Sequence, residues 1–183
     1  GNSYSGSHDT SFSVVRYGNV MGSRGSVIPF FMSIAKDGIL PITDNRMTRF
    51  MISLEEGVEL VWHAFDDMRG GEIYVKKIPS MKVTDIASAV SSDATQEEVG
   101  IRPGEKLHEQ MIGTEDSLYT YDYPGYFKIL PSINNWNLDP ERIGKGVKVD
   151  SDFMYCSDNN KEWMKIETLQ SWIEENRHKI GNI

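Results

Sequence analysis

The sequence is poorest in cysteine. Cys156 stands alone, which excludes an intrachain disulfide and fits a reducing compartment. Histidine is nearly as scarce: His8, His63, His108 and His178 are scattered, none with a second His or Cys at metal-ligand spacing, so no metal site is expected. For His108, between Glu105 and Glu109, a solvated helix face is the plain reading. No apolar run approaches the roughly 20 residues of a membrane span, and the amino end is polar, without a signal-peptide core. Basic charge is in deficit, with 19 Lys and Arg against 27 Asp and Glu, for a net charge of -8. Binding a nucleic-acid backbone wants the opposite balance. The expectation is a cytoplasmic protein with neither nucleic acid nor membrane as partner. Chemistry motifs are missing too. No Ser lies in a nucleophile elbow, and Cys156 has no identifiable base. Gly144-Lys145-Gly146 is followed by Val149 where a dinucleotide fingerprint needs its third glycine.

What the sequence does hold is enough for a sizeable core, since 39% of its 183 residues are hydrophobic. Its organising stretch runs from Phe12 to Phe31 and reads as strand, glycine-rich turn and helix. Phe12–Tyr17 is apolar enough for a buried strand, and Ser26 with Pro29 marks a helix start. Between them, Gly18, Gly22 and Gly25 let the backbone approach something closely. Asn19, Arg24 and Ser26 offer an amide, a cation and a hydroxyl to an anionic or sugar-like ligand. Glycine-rich βα turns are also ordinary connections, so this pattern alone assigns no ligand. The polar lead Gly1–Thr10 has no initiator Met and precedes a strand that looks central. Too few strands follow to surround it, and the chain is expected to be the carboxyl-terminal part of something longer.

Further along, Phe30, Phe31, Ile34 and Ala35 stripe a helix that Gly38 ends, followed by an extended Ile39–Thr43. Asp44–Phe50 reads as a loop; the spacing of Arg46 and Arg49 keeps them off one strand face. Ser53 and Glu56 form a capping box before a helix whose inward side should carry Val58, Val61, Trp62, Phe65 and Met68. A strand over Glu72–Ile78, a helix over Val83–Val90 and a short strand over Gln96–Ile101 follow. Arg102-Pro103-Gly104-Glu105-Lys106 is a tight turn, equally at home on a plain surface and in a site. A helix is expected from Leu107 to Ile112, a tyrosine-rich core segment over 119–130, a loop-rich stretch over 134–152 and a closing amphipathic helix over Trp163–Glu175.

Three motifs in order resemble one family. They are Arg16-Tyr17-Gly18-Asn19-Val20 with Gly22–Phe31, then Pro41-Ile42-Thr43-Asp44 with Met47-Thr48-Arg49-Phe50, then Ile101–Glu109. The tail Tyr155–Asn160 with Trp163 looks similar as well. Together they resemble the extended short-chain dehydrogenase/reductases, and among these the inverting UDP-N-acetylglucosamine 4,6-dehydratases of polysaccharide and flagellin-sugar biosynthesis. The fold so implied is α/β: the carboxyl-terminal part of a Rossmann-type doubly wound sheet plus a small substrate-binding domain, with the cofactor-binding half missing. The divisions implied are 1–21 and 49–79 for the Rossmann part, 22–48 and 80–160 for substrate binding, and 161–183 for a closing helix.

By the same resemblance Asn19 holds the sugar diphosphate and Val20 meets the nicotinamide end of an NADP cofactor. Arg24, Gly25, Ser26, Val27 and Ile28 line the nucleotide-sugar pocket, and Leu40, Pro41, Ile42 and Thr43 pack along the uracil. Arg49 and Arg102 clamp the diphosphate, and Glu105 binds the ribose. These roles suit the groups: guanidiniums make charge-assisted hydrogen bonds to phosphates worth roughly 1.5–3 kcal/mol each, and a carboxylate accepts from vicinal hydroxyls. The family's Tyr-x-x-x-Lys, its glycine fingerprint and its Thr-Asp-Lys motif are all absent here. In the family they lie upstream of the strand at Phe12. The expected function is therefore the substrate-binding half of an NADP-dependent lyase, inactive by itself and homo-oligomeric when intact. In that family NADP takes hydride from sugar C4, the ketone acidifies the C5 proton, water leaves from C6, and hydride returns to C6. The rivals are a UDP-sugar 4-epimerase or retaining dehydratase on the same scaffold, and a non-catalytic nucleotide-sugar-binding module.

Overall fold

A computed structural model describes residues 8–181, so the part of the polar lead at 1–7 lies outside the described residues. In chain order the elements are β1 (Val14–Arg16), β2 (Asn19–Val20), α1 (Val27–Ile34), β3 (Ile39–Ile42), β4 (Thr48–Ile52), α2 (Leu54–Asp67), β5 (Ile73–Lys76), β6 (Ser80–Lys82), α3 (Val83–Val90) and β7 (Thr95–Glu98). There follow β8 (Gln110–Ile112), α4 (Thr114–Ser117), β9 (Thr120–Tyr123), β10 (Tyr126–Ile129), α5 (Pro140–Ile143), β11 (Val147–Lys148), β12 (Tyr155–Cys156) and α6 (Ile166–Asn176). They fall into two compact units.

The first unit takes the described residues up to Tyr17, then Glu55–Lys77 and Gln110–Tyr155. Its sheet has the order β1-β5-β10-β9-β11. β1 runs parallel to β5, with Val14 opposite Ile73, while β10 is antiparallel to both β5 and β9. Pro124-Gly125 closes the β9–β10 hairpin: proline presets one φ, and Gly125 takes φ +82°, which a side chain would resist. Among the described residues β1 borders only β5, so the second neighbour expected for this strand is not supplied by them.

α2 begins directly after Ser53, as expected, but presents a different face from the one its spacing suggested. Gly57, Leu60 and Ala64 are buried, with Leu60 and Ala64 packed on Tyr74 and Val15, whereas Val58, Trp62 and Phe65 are exposed. The helix is apolar on two sides, and the side with the smaller residues lies close to its neighbours: a Cβ on Gly57 would sit 3.9 Å from the Tyr17 ring. Beneath it the Tyr74 hydroxyl and the Lys128 ammonium donate to Asp67 at 2.7 and 2.8 Å. Burial raises the Asp67 pKa, but these two donors outweigh it and leave the carboxyl below its ordinary value. The tyrosines are core, as expected: Tyr121 and Tyr123 are buried, and the Tyr123 and Tyr126 rings stack at 4.8 Å.

The second unit takes Gly18–Leu54, Ile78–Glu109 and the residues from Cys156 on. β2 pairs parallel with β4, β4 antiparallel with β6, and β3 parallel with β7. α1, α3 and α6 bury Ile28 and Phe31, Ile86 and Ala87, and Leu169 and Ile173 in one core with Leu40, Ile42 and Met81. Ser26 precedes α1, whose last turn tightens and ends at Gly38 in the left-handed region, with its N–H on the Ala35 carbonyl. Two expectations fail here. The loop over Asp44–Phe50 stops at Met47, because Thr48–Ile52 has ladder partners on both sides in β2 and β6. The helix over Leu107–Ile112 is absent: Leu107–Glu109 is a loop whose backbone bonds to distant residues, the Thr48 N–H donating to the Leu107 carbonyl and the Ser157 N–H to that of Glu109. Gln110–Ile112 is β8.

Candidate functional site

Gly18 opens the site. A Cβ there would lie 2.5 Å from the Phe50 carbonyl oxygen, so only glycine lets the turn after β1 pass so close to β4. Within the second unit, the ends of β2, β3 and β4, the start of α1 and the turn at 99–105 surround a cavity of about 630 Å³. That size lies inside the usual range for small-molecule sites, roughly 300–1,000 Å³.

Of the residues singled out from the sequence, Asn19, Val20, Gly25, Ser26, Val27 and Ile28 line this cavity, as do Pro41, Thr43, Arg49, Arg102 and Glu105. Three do not. Leu40 and Ile42 are fully buried and give their side chains to the core, because alternation along β3 turns them away from Pro41 and Thr43. Arg24 is exposed and reaches the Gly181 carbonyl through Nε at 3.4 Å. The spacing did not reveal the apolar wall, made by Met21, Met47, Met51, Phe30 and Val99. Its only sequence trace was the period-2 alternation of Met47, Arg49 and Met51.

The two arginines stand differently. Arg49 donates from Nη1 to the Thr48 and Leu107 carbonyls at 2.7 and 3.1 Å and from Nη2 to the Lys106 carbonyl at 2.9 Å. Three of its five N–H donors are thereby occupied, and its side chain is 12% exposed. Glu105 and Glu109 lie 3.9 and 3.7 Å away, close enough to feel the charge. Arg102 is exposed, and its guanidinium makes no hydrogen bond or ion pair among the described residues. It sits in a turn closed by the Glu105 N–H on the Arg102 carbonyl, with Gly104 at φ +83° after Pro103. The first turn of α1 adds free backbone N–H groups, and the Ser26 Oγ is buried there without a partner. Beside the cavity, hydrogen bonds from the Arg46 side chain and backbone N–H hold the Asp44 pKa down at about 2. Two guanidiniums, a helix amino terminus and an orphan hydroxyl suit an anion, and the methionine wall suits an uncharged body attached to it.

The residues described do not fit a nicotinamide dinucleotide in the same way. Gly146, in the nearest thing to a fingerprint, has no room for a ligand: a Cβ there would overlap the Tyr123 ring, so the position serves packing. Among the described residues no group of three His, Cys, Asp or Glu could hold a metal ion.

A family profile described as "Polysaccharide biosynthesis protein" matches residues 1–131. The chain is 51% identical over 175 residues to the UDP-N-acetylglucosamine 4,6-dehydratase (inverting) of Campylobacter jejuni, covering 92% of this chain and 52% of that protein. It is 41% identical over 126 residues to the UDP-glucose 4-epimerase of Rickettsia akari, covering 66% and 37%. Among solved structures, Pen from Bacillus thuringiensis superposes with a TM-score of 0.79 at 31% identity, covering 94% of this chain and 52% of that one. The fold is accordingly Rossmann-like α/β, and the dehydratase resemblance read from the motifs is borne out. The chain spans about half the length of the Campylobacter jejuni relatives it matches. With a profile match over well more than half of its residues, the chain belongs to the polysaccharide biosynthesis protein family.

Proposed function

We propose that this chain forms the nucleotide-sugar-binding part of an NADP-dependent, C5-inverting UDP-N-acetylglucosamine 4,6-dehydratase that supplies a 4-keto-6-deoxy sugar for surface polysaccharide or flagellin glycan. The observation that carries the reading is the convergence of Arg49, Arg102, Glu105 and the start of α1 on one cavity. In this reading the arginines and the α1 N–H groups take the diphosphate, Glu105 accepts from the ribose, and Asn19 and Ser26 bond the sugar side. Pro41 and Thr43 flank the base, and Leu40 and Ile42 support the wall from the core behind it. Val20 is the one residue proposed to face the cofactor, which when bound supplies hydride chemistry at the sugar. No dinucleotide cradle is formed by the residues described, so no step is assigned to it. The free thiol of Cys156 is at home in a reducing compartment, and the reading places a homo-oligomeric enzyme in the cytoplasm.

The test is product analysis with the native full-length polypeptide and UDP-N-acetylglucosamine. A UDP-4-keto-6-deoxy sugar inverted at C5 is the expected product. Interconversion at C4 without loss of water would give the chain to the epimerase reading, favoured by the Rickettsia match, and binding without turnover to the non-catalytic one.

A further inference from the structure

A buried hydroxyl pair lies just behind the cavity. Ser157 is fully buried and Thr48 is 2% exposed; neither lines the cavity. Their side-chain oxygens are 2.7 Å apart, and the Thr48 Oγ1 lies 2.8 Å from the His108 Nδ1. The Ser157 Oγ accepts the Glu109 N–H at 2.9 Å and reaches the Thr48 carbonyl at 3.2 Å. The two hydroxyls thus bond each other, the His108 ring and the backbone of the Lys106–Glu109 segment, and every buried polar atom of the pair has a partner.

This network grips the Lys106–Glu109 segment from both sides. Thr48 holds it through its own N–H on the Leu107 carbonyl, and Ser157 holds it through its N–H on the Glu109 carbonyl. The carbonyls of Lys106 and Leu107, so fixed, are two of the three acceptors that orient the Arg49 guanidinium. The third is the carbonyl of Thr48 itself. Nε–H and one Nη2 N–H of Arg49 make no hydrogen bond among the described residues, with Glu109 and Glu105 at 3.7 and 3.9 Å from these nitrogens, and where the two N–H groups point follows from the three carbonyls.

We propose that Ser157 is a positioning residue for anion recognition: through Thr48 and the Lys106–Glu109 segment it sets the direction of the Arg49 guanidinium. The inference rests on the reading of the cavity as a nucleotide-sugar site. It goes beyond that reading by assigning a role to a residue that touches no ligand.

Dissociation constants of UDP, pyrophosphate and uridine are measured by calorimetry for the native full-length polypeptide and for Ser157→Ala, Thr48→Val and Thr48→Ser. Loss of one aimed, charge-assisted contact predicts UDP and pyrophosphate binding weakened about tenfold in Ser157→Ala and Thr48→Val. Uridine, which carries no phosphate, binds as before, and Thr48→Ser, which keeps the hydroxyl, restores the UDP affinity. Equal weakening of UDP and uridine, no weakening, or variants that fail to fold would assign the pair to the fold alone and overturn the inference. If the unsubstituted protein binds neither UDP nor pyrophosphate, the nucleotide-sugar reading itself falls, and this inference with it.

Discussion

Arg49 and Arg102 line one cavity in opposite states. Arg49 is tied down by three backbone carbonyls, whereas Arg102 stands exposed with its guanidinium unengaged among the described residues. A tethered donor has its rotamer entropy removed before a ligand arrives; a free one loses it on binding. Their removal should therefore read out differently. Arg102→Ala is expected to weaken UDP binding about tenfold and leave stability within about 0.5 kcal/mol, as for exposed side chains generally. Arg49→Ala should weaken binding at least as much and also destabilise the fold by about 1–3 kcal/mol, since it strips partners from three carbonyls. Calorimetry and urea unfolding on the same samples decide it, and equal stability losses would remove the distinction.

The first unit holds a pair that should behave as a unit. Glu72 is 2% exposed and Arg142 is 8% exposed, and their side chains bond directly. The Glu72 carboxylate also accepts the Gly70 N–H at 2.7 Å, and the Arg142 guanidinium packs 3.9 Å over the Trp136 ring. Arg142→Met leaves Glu72 buried without its cation and is expected to cost about 3–5 kcal/mol. Adding Glu72→Gln should recover part of that loss, so urea unfolding of the double variant should fall short of the summed single effects. Additive losses would mean that the two side chains act independently.

Local patterns carried much of this fold and long-range partners the remainder. α3 was legible residue for residue because Val83, Ile86, Ala87 and Val90 repeat at helical spacing with nothing competing. α2 was legible in extent but not in facing: Trp62 and Phe65 satisfy the same periodicity as Leu60 and Ala64, and periodicity cannot tell which of two apolar sides the sheet will take. Leu107–Ile112 has helical spacing too, yet its backbone partners are Thr48 and Ser157, far away in sequence, and tertiary bonds override a weak local preference. The same distance hid the Thr48–His108–Ser157 network. His108 looked like a solvated helix residue, while its Nδ1 is engaged by a buried threonine.

Gly146 offers a test of what its neighbourhood is for. A Cβ there would overlap the Tyr123 ring, whose hydroxyl donates to the Ile143 carbonyl at 2.6 Å. Gly146→Ala is expected to cost about 1–3 kcal/mol through overpacking while leaving UDP and NADP affinities unchanged. Urea unfolding and calorimetry would check both halves. A selective loss of NADP binding at unchanged stability would instead make this glycine part of a cofactor site.

Asp44 gives the cavity rim a pH signature. Its carboxylate accepts from the Arg46 backbone N–H at 2.8 Å and from the guanidinium at 3.0 and 2.7 Å, and these bonds hold its pKa at about 2, below the 3.8 of a free carboxyl. A depressed folded-state pKa stabilises the fold above the unfolded value and loses that stabilisation as pH falls through the folded one. Asp44→Asn should therefore be less stable than the unsubstituted chain near neutral pH. The gap should begin to close below about pH 4 and vanish only below about pH 2, where the Asp44 carboxyl is protonated in folded and unfolded chains alike. Urea unfolding of the two proteins from pH 6 downward provides the comparison. A gap that stays constant through this window would mean that Asp44 acts through its shape and not its charge.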